Sequence, residues 1–412
     1  RAFILALFFM TAQINAQLNG LYTINSGLPT GGTNFQTFTA CAAVLNSLGV
    51  TGPVTINVVA NSGPYNEQVT FNQAPGISLS NSIVINGNGN AINFTSSNAA
   101  APWTICMGGA DFMTVNNLNI NGLGPNALTL NFFSGADNNT FNNCLITAPL
   151  NTTGTTNMIP VTFSGSNTTY ASTANSGNHN TLNTCTVTGG YFNVTFYGLT
   201  GPPYNVNNRL MNCLLRNSYI YNIYNVYSRN TTISGCTIER PNQTVVTTSA
   251  GFYGTTGTAG LLFENNRIRK MFDGMPNPYT GTFYGVACPV SGVLGLENVI
   301  RNNVISDIKN FTGTFYGLFL SGSSYMKAYH NTIVNDDVNN TGTSALYGIY
   351  ATGSTAVDIK NNIVSIGRGG GGTKYGLYYT SGTISSNYNN IYITSIAGTN
   401  VTGYYLINYP TL

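Results

Sequence analysis

The segment IRNNVISDIKNFTGTFYGLF (300–319) holds the two phrases that decide the fold. The first phrase is an apolar residue, two variable residues, Asn or Cys, one variable residue and a second apolar residue, as in IRNNVI (300–305). It recurs as FNNCLI (141–146), LNTCTV (182–187), LMNCLL (210–215), ISGCTI (233–238), FENNRI (263–268), AYHNTI (328–333), IKNNIV (359–364) and, more weakly, NYNNIY (387–392). Its fourth positions are Cys144, Cys185, Cys213, Cys236, Asn266, Asn303, Asn331, Asn362 and Asn390. Their spacing runs from 23 residues (Cys213 to Cys236) to 41 residues (Cys144 to Cys185), which indicates a structural repeat.

The second phrase is Tyr, then Gly or Asn, then an apolar residue, and it alternates with the first phrase. It starts at Tyr197, Tyr224, Tyr253, Tyr284, Tyr316, Tyr347 and Tyr375, in steps of 27 to 32 residues. By strand alternation the Tyr shares a face with the apolar residue, so we expect an interior aromatic stack. If the register inverts at the bend, the same residues would instead form an exposed ribbon suited to stacking on sugar rings.

Two short strand-like phrases per unit, with no helix between them, predict a chain that winds as a coil. Each turn then pairs with the next through parallel strands about 4.8 Å apart, and equivalent residues stack into columns. An Asn at a bend can satisfy both its own turn and the Asn above it, and a small thiol fits the same interior slot. We therefore predict an interior column that changes from Cys to Asn between Cys236 and Asn266.

With these repeats, residues 50 to 408 resemble the right-handed parallel β-helix proteins of the pectate-lyase-like superfamily, whose short repeats are common in exported bacterial proteins. The stretch FQTFTACAAVLNSLG (35–49) resembles the short helix that covers the first open coil in that family. The resemblance implies an all-β, single-stranded right-handed parallel β-helix of about a dozen coils with a short N-terminal capping helix. We assign residues 18–50 to the cap and 51–412 to the β-helix.

The resemblance is specific for the fold and weak for activity. The superfamily most often degrades polysaccharides, as lyases or hydrolases, so this is the alternative function. The phrase Gly63-Pro64-Tyr65-Asn66-Glu67 matches the G-x-Y-x-E motif of pectin methylesterases, but their catalytic signatures find no match here. The run Arg267-Ile268-Arg269-Lys270 precedes Asp336-Asp337, which is the wrong order for a polygalacturonase.

Charge and targeting signals limit the function further. The 412 residues carry 14 Lys and Arg against 11 Asp and Glu, so nucleic acid is excluded as a partner. With 42% hydrophobic and 12% aromatic residues, the chain has enough apolar surface to fold around a core. Residues 1–17 read as a signal peptide whose start is missing, and no later run is long enough to span a bilayer. We expect a secreted or cell-surface protein, truncated at its C-terminus.

Counting onward from the fourth positions brings together six charged residues on adjacent coils, facing outward: Arg216, Glu239, Arg240, Arg269, Lys270 and Asp307. One interpretation is a ladder of charges that neutralise each other. The other is a site for an acidic sugar, with Arg216, Arg240 and Lys270 binding and Glu239, Arg269 and Asp307 as catalytic candidates.

Metal and thiol chemistry are weakly indicated. Asp336 and Asp337 could hold Ca²⁺, the one cofactor left open, or form an exposed loop pair. Seven cysteines are an odd number for an exported protein, and the column register favours buried thiols over disulfides. We predict a binding or adhesion scaffold, directed toward a polysaccharide or cell-surface glycan, built on loops such as 147–180, 273–282 and 335–343.

Overall fold

The computed structural model describes residues 17–409 and is an all-β, right-handed parallel β-solenoid of about 13 turns with one short helix. The predicted fold class is therefore confirmed. The proposed signal peptide lies outside the described residues, except for Gln17. Among residues 17–409, no helix is long and apolar enough to cross a membrane.

Each turn contributes one strand to each of three long sheets, which we call sheets I, II and III in the order the chain visits them. Sheet I comprises Leu18–Ile24, Asn34–Phe35, Val50–Val58, Ile83–Asn86, Met113–Asn116, Thr140–Asn142, Thr181–Asn183, Arg209–Met211, Thr232–Ser234, Leu262–Glu264, Asn298–Arg301, Ser324–Tyr329, Ser354–Lys360 and Gly382–Asn387. Sheet II comprises Tyr65–Asn66, Ala91–Phe94, Asn119–Gly122, Leu145–Thr147, Thr186–Thr188, Leu214–Arg216, Thr237–Glu239, Arg267–Ile268, Val304–Ile305, Thr332–Asn335, Ile363–Ile366 and Asn390–Ile393. Sheet III comprises Val69–Asn72, Ile105–Gly108, Ala127–Phe133, Met158–Phe163, Val194–Tyr197, Tyr221–Val226, Ser249–Gly254, Phe283–Ala287, Phe315–Phe319, Leu346–Ala351, Lys374–Tyr379, Asn400–Tyr405 and Ile407–Tyr409. A short pair, Asn205–Val206 with Ser228–Arg229, lies outside the three sheets.

Consecutive turns pair in parallel and in register, so side chains of one position form columns along the axis. In sheet III, for example, Tyr284 pairs with Tyr316, Tyr316 with Tyr347, and Tyr347 with Tyr375. The last strand, Ile407–Tyr409, turns back and pairs antiparallel with the strand before it.

The helix Phe38–Leu48 covers the first turn, as predicted. It buries Phe38, Cys41, Ala42 and Leu45, which lie on one face at helical spacing. Thr37 caps its first turn by accepting a hydrogen bond from Ala40 N (3.0 Å). Glu67 adds a second cap, because its two carboxylate oxygens accept from Phe38 N (3.0 Å) and Thr39 N (2.7 Å). The Glu of the G-x-Y-x-E phrase thus fixes the cap to the coil below.

From the strand Met113–Asn116 onward, the corner between sheets I and II consists of two residues, and the first has a left-handed backbone. Asn143, Asn302 and His330 hold this place with φ of 54°, 56° and 54°. Asn adopts this conformation more readily than most residues, which explains its abundance in the repeat. His330 has a backbone role at this corner.

The second corner residue forms the interior column. In the later turns each Asn amide donates to a carbonyl of the preceding turn, as from Asn303 Nδ2 to Phe263 O (2.9 Å). Each side-chain carbonyl oxygen of these Asn residues accepts from the backbone N–H of the Asn one turn earlier, as Asn303 Oδ1 does from Asn266 N (3.0 Å). The chain of bonds runs through Asn266, Asn303, Asn331 and Asn362.

The assignment of Asn390 to this column is wrong. The column residue is Asn389, which accepts from Asn362 N (3.0 Å) and donates to Ile359 O (2.9 Å), whereas Asn390 is exposed. The last copy has Ser386 where the apolar first residue belongs, and the aligned phrase therefore starts one residue late.

Thiols occupy the same column in the earlier turns. Cys144, Cys185, Cys213 and Cys236 are buried and free, as are the other three cysteines. Cys185 Sγ donates to Phe141 O (3.3 Å), a carbonyl at the repeat position that Phe263 holds for Asn303. The change of residue type falls between Cys236 and Asn266, where Cys236 N donates to Asn266 Oδ1 (2.8 Å). Cys and Asn both donate here to the same carbonyl position of the preceding turn, and the side-chain oxygen of Asn also accepts from a backbone N–H.

Candidate functional site

The charged cluster is built around a buried carboxylate. Glu239 ends a sheet II strand, and its side chain is only 7% exposed. Its Oε1 lies 2.9 Å from Arg216 Nε, one turn before, and its Oε2 lies 3.3 Å from Arg269 Nε, one turn after. These are ion pairs rather than well-directed hydrogen bonds. Each carboxylate oxygen of Glu239 therefore faces a guanidinium.

Arg240 does not belong to this surface, contrary to the prediction. It is fully buried and donates to Asn222 Oδ1 (3.4 Å) and to the backbone oxygens of Ile220 and Ala250. The strand ends at Glu239, so strand alternation no longer sets the direction of the next side chain, which turns inward at the bend. Burial lowers the pKa of Arg240 from 12.5 to about 9. No carboxylate pairs with it among the described residues.

Lys270 and Asp307 lie at the same bend in the next two turns, both with a left-handed backbone and both partly exposed. Asp307 Oδ1 is 3.7 Å from Lys309 Nζ. The sequence reasoning missed Asp273 beside them, where burial and then the nearby Asp307 raise the pKa of its carboxyl. A count of acidic residues near the predicted bend would have found it.

The calcium candidates lie in the loop after Thr332–Asn335. Asp337 Oδ2 accepts a hydrogen bond from Asn340 Nδ2 (3.3 Å). Burial lowers the pKa of Arg368, and the negative charge of Asp337 partly offsets this by raising it. No group of three or more His, Cys, Asp or Glu side chains suited to a metal occurs within residues 17–409.

A second site lies on the outer face of sheet III and consists of two columns of aromatic rings, which we call the aromatic ladder. Column one contains Tyr284, Tyr316, Tyr347 and Tyr375, and column two contains Phe319, Tyr350, Tyr378 and Tyr404. Ring centroids within column one are 4.8 to 5.2 Å apart, with planes within 13° of parallel. The two columns meet edge to face, as at Tyr347 and Tyr350 (5.1 Å, 80°).

The predicted interior position of these tyrosines is wrong, and glycine explains why. Tyr316 is partly exposed, while its neighbours Phe315, Gly317 and Leu318 are buried. A β-carbon at Gly317 would lie 2.6 Å from Ile333 Cγ2, so this position faces the interior and has no room for a side chain. Two consecutive inward positions, Gly317 and Leu318, break the alternation and leave Tyr316 outside.

The earlier copies of the second phrase follow a different register. Tyr253 pairs with Ala287, which pairs with Phe319, so Tyr224 and Tyr253 align with column two. Tyr221 precedes column one but is separated from it by Ala250. The ladder as a continuous double column therefore starts at the turn of Phe315–Phe319.

The earlier part of this face is covered by the chain itself. Leu128, Ile159, Phe192, Tyr219 and Ile220 form a second buried cluster, against which Tyr170 packs. The predicted protruding loop 147–180 is in fact two excursions on either side of the sheet III strand Met158–Phe163. Tyr170 comes from the second excursion and meets Phe192 edge to face at 5.3 Å.

The ladder presents edges and hydroxyl groups rather than ring faces. Tyr316 has a stacked neighbour on both sides, Tyr284 at 5.2 Å and Tyr347 at 4.8 Å. Within residues 17–409, the tyrosine hydroxyls with hydrogen-bond partners include those of Tyr65, Tyr279, Tyr329 and Tyr379. Those of Tyr284, Tyr316, Tyr347 and Tyr350 bond to no described residue. Burial, followed by the charge that neighbouring phenols would carry, raises the pKa of Tyr347 to about 12.

The ladder strands carry almost no charge. Their sequences are FYGVA, FYGLF, LYGIYA, KYGLYY and NVTGYY, so Lys374 is their one charged residue. Lys374 is 1% exposed, and its ammonium donates to the backbone oxygens of Gly370 and Ala397. The exposed part of the ladder is neutral.

No protein-family model and no curated protein matches this sequence. Among solved structures, the chain is similar to PfbA, a surface adhesin of Streptococcus pneumoniae, at 10% identity and a TM-score of 0.44, over 89% of each chain. It is similar to the pectate lyase Pel9A at 13% identity and a TM-score of 0.39, over 91% of this chain and 79% of the other. It is also similar to the periplasmic alginate epimerase AlgG at 9% identity and a TM-score of 0.41, over 87% and 80%.

Proposed function

We propose that this chain is an exported extracellular or cell-surface protein that binds carbohydrate as a scaffold, with the aromatic ladder as its binding surface. The observation that carries the proposal is the ladder itself, a neutral strip of aromatic edges with hydroxyl groups that bond to no described residue. Aromatic rings with a polar tip are suited to a ligand that offers both C–H groups and hydroxyls.

The charged cluster supports the structural interpretation of its residues. Glu239 is enclosed by two guanidiniums, and removing either would leave one oxygen of a buried carboxylate without its cation. A general acid or base needs an oxygen within reach of the substrate, and in Glu239 each oxygen faces an arginine. The proposal therefore includes no catalytic step, and it needs no cofactor.

The test is a combined turnover and binding screen of the purified chain. Pectic, alginate-like and neutral polysaccharides are supplied with and without Ca²⁺, and both unsaturated products and reducing ends are followed. Binding is measured as retardation in gels that contain each polysaccharide. We expect retardation without turnover, lost in the double variant Tyr316→Ala and Tyr347→Ala. Retardation should persist in Tyr392→Ala, since Tyr392 is 63% exposed and lies on the sheet II strand Asn390–Ile393, outside the ladder.

Turnover would contradict the scaffold proposal. If products form and disappear in Glu239→Ala or Arg269→Ala, the chain is a polysaccharide lyase or hydrolase with its site at the charged cluster. Absence of both turnover and retardation would reject carbohydrate binding altogether.

A further inference from the structure

The ladder restricts how a sugar polymer can bind, because stacking on ring faces is blocked along most of its length. Inner rings such as Tyr316, Tyr347 and Tyr350 have a parallel ring on each side within 5.3 Å. A sugar ring is too large to enter a gap already closed to contact distance. Only the outer edges of the rings and their hydroxyl groups remain for a ligand.

These hydroxyl groups repeat with the turns of the solenoid. Because neighbouring strands are about 4.8 Å apart, each turn repeats the same phenol at nearly the spacing measured between the rings. The repeat runs along the solenoid axis from Tyr284 to Tyr375 in column one and from Tyr350 to Tyr404 in column two. A ligand that uses several of these groups must itself be extended along the axis.

The polar strip beside the ladder is also neutral. The phrase Thr-Gly-Thr precedes the ladder strand in two successive turns, at 280–282 and 312–314, and recurs at 341–343. It contributes to a shallow trough of about 350 Å³ lined by Thr280, Thr312, Thr341, Gly342, Thr343 and Ser344. Hydroxyl groups line this trough, and none of these residues is charged.

We infer that the ladder takes a neutral, extended polysaccharide, lying lengthwise along the axis and held by hydrogen bonds to the phenol hydroxyls of successive turns. The inference rests on the proposed function and specifies its ligand. An acidic polysaccharide would place carboxylates against a surface without an exposed cation, at a cost in desolvation. The guanidiniums of Arg216 and Arg269, which could pair with such carboxylates, are already paired with Glu239.

The decisive variant is the triple substitution Tyr316→Phe, Tyr347→Phe and Tyr350→Phe. It keeps every ring of the stack and removes only the hydroxyls, so the fold should be retained, which an unchanged circular dichroism spectrum and unfolding midpoint would show. The matched control is Tyr325→Phe with Tyr392→Phe, at two tyrosines that are 36% and 63% exposed outside the ladder.

Dissociation constants are measured by calorimetry with a neutral β-glucan, with its oligosaccharides of increasing length, and with polygalacturonate. We expect the wild type to bind the neutral polymer, with an affinity that rises with oligosaccharide length and changes little with salt. Loss of three hydrogen bonds should weaken binding at least tenfold in the triple variant, and the control should bind as the wild type.

Four outcomes would overturn the inference, and they separate it from the proposed function. Binding of polygalacturonate alone would reject the neutral ligand and leave carbohydrate binding intact. Full affinity in the triple Phe variant would reject the hydroxyl contacts, and affinity independent of oligosaccharide length would reject lengthwise binding. Binding of none of these polymers would reject the inference, and the wider gel screen would then decide the proposed function.

Discussion

Replacing Asn331 by Ala removes four hydrogen bonds from the interior column. The side-chain amide of Asn331 donates to Ile300 O (2.9 Å) and to Asn362 Oδ1 (3.0 Å). Its carbonyl oxygen accepts from Asn303 N (3.2 Å) and Asn303 Nδ2 (2.9 Å). Asn303 Nδ2 keeps Phe263 O as a partner, and Asn362 Oδ1 keeps Asn331 N. The N–H of Asn303 loses the acceptor that Asn331 supplies, inside a packed core.

The magnitude follows from these contacts. An orphaned buried N–H costs about 1–3 kcal/mol, and each hydrogen bond lost beside it contributes about 0.5–1.5 kcal/mol. We expect Asn331→Ala to lower the free energy of unfolding by about 3–5 kcal/mol on this basis. Asn331→Cys should cost about half as much, because a thiol can still donate to Ile300 O as Cys185 donates to Phe141 O.

Urea unfolding followed by circular dichroism, under reducing conditions, measures both effects. The matched control is Asn390→Ala, one residue beyond the column and exposed, which should change stability by less than about 0.5 kcal/mol. A loss at Asn331→Ala equal to that of the control would refute the column as a source of stability. A Cys variant as unstable as the Ala variant would refute the equivalence of thiol and amide.

Three further predictions test other parts of the fold. Gly317→Ala should lower the free energy of unfolding in urea by about 1–3 kcal/mol, because the new β-carbon would meet Ile333 and the backbone of Gly348. Gly201→Ala, with open space around the β-carbon, should leave this free energy unchanged. Equal effects of the two substitutions would contradict the inward direction of Gly317. Stability should fall as pH rises from about 10 to about 12, because the folded chain keeps the phenol of Tyr347 protonated while the unfolded chain releases that proton near 10. An alkaline titration of tyrosinate absorbance, with unfolding measured in parallel, would show this loss of stability. Titration of Tyr347 near 10 in the folded chain would contradict the prediction. Glu67→Gln should cost about 1 kcal/mol of thermal stability by weakening the helix cap, and an unchanged midpoint would show that Thr37 suffices.

The sequence was sufficient for the solenoid because the turns from Asn143 onward repeat the same chemical requirement at the corner between sheets I and II. A residue that tolerates a left-handed backbone, such as Asn143 or Asn302, must be followed by a small polar donor, such as Cys144 or Asn303. This pair recurs in each turn from Asn143 to Asn389, so it is visible as a pattern even where the connecting loops differ in length. It failed at Asn390, where the apolar residue that marks the register is missing.

The direction of the tyrosines was not predictable from alternation alone, because alternation assumes an unbroken strand. The sequence does contain the missing signal, which is the Gly after each Tyr at 285, 317, 348 and 376. A Gly repeated at one position of a packed repeat indicates close approach of a neighbouring side chain, here that of Ile333 to Gly317. The residue before such a Gly therefore faces outward, as Tyr316 does.

Arg240 shows where counting along a repeat stops being informative. Glu239 ends its strand pointing outward, and the covering side chains of Arg216 and Arg269 bury it nonetheless. Arg240 begins a bend whose path differs from turn to turn, so its counterparts Lys270 and Asp307 are partly exposed while Arg240 is enclosed. Positions within strands and at the two-residue corner between sheets I and II are transferable between turns, and positions in the bend after sheet II are not.

The same distinction explains why the ladder, and not a loop, is the regular surface of this protein. The interior columns fix the register of successive turns, and the outer side chains of sheet III take over that spacing, so rings such as Tyr316 and Tyr347 stack at 4.8 Å. The loops on either side of sheet III share no such constraint, and two of them cover the earlier part of the same face through Tyr170 and Phe192. The face stays open only where these excursions do not reach it. A ligand that matches the open part must therefore be periodic along the axis, which a polymer is and a small sugar is not.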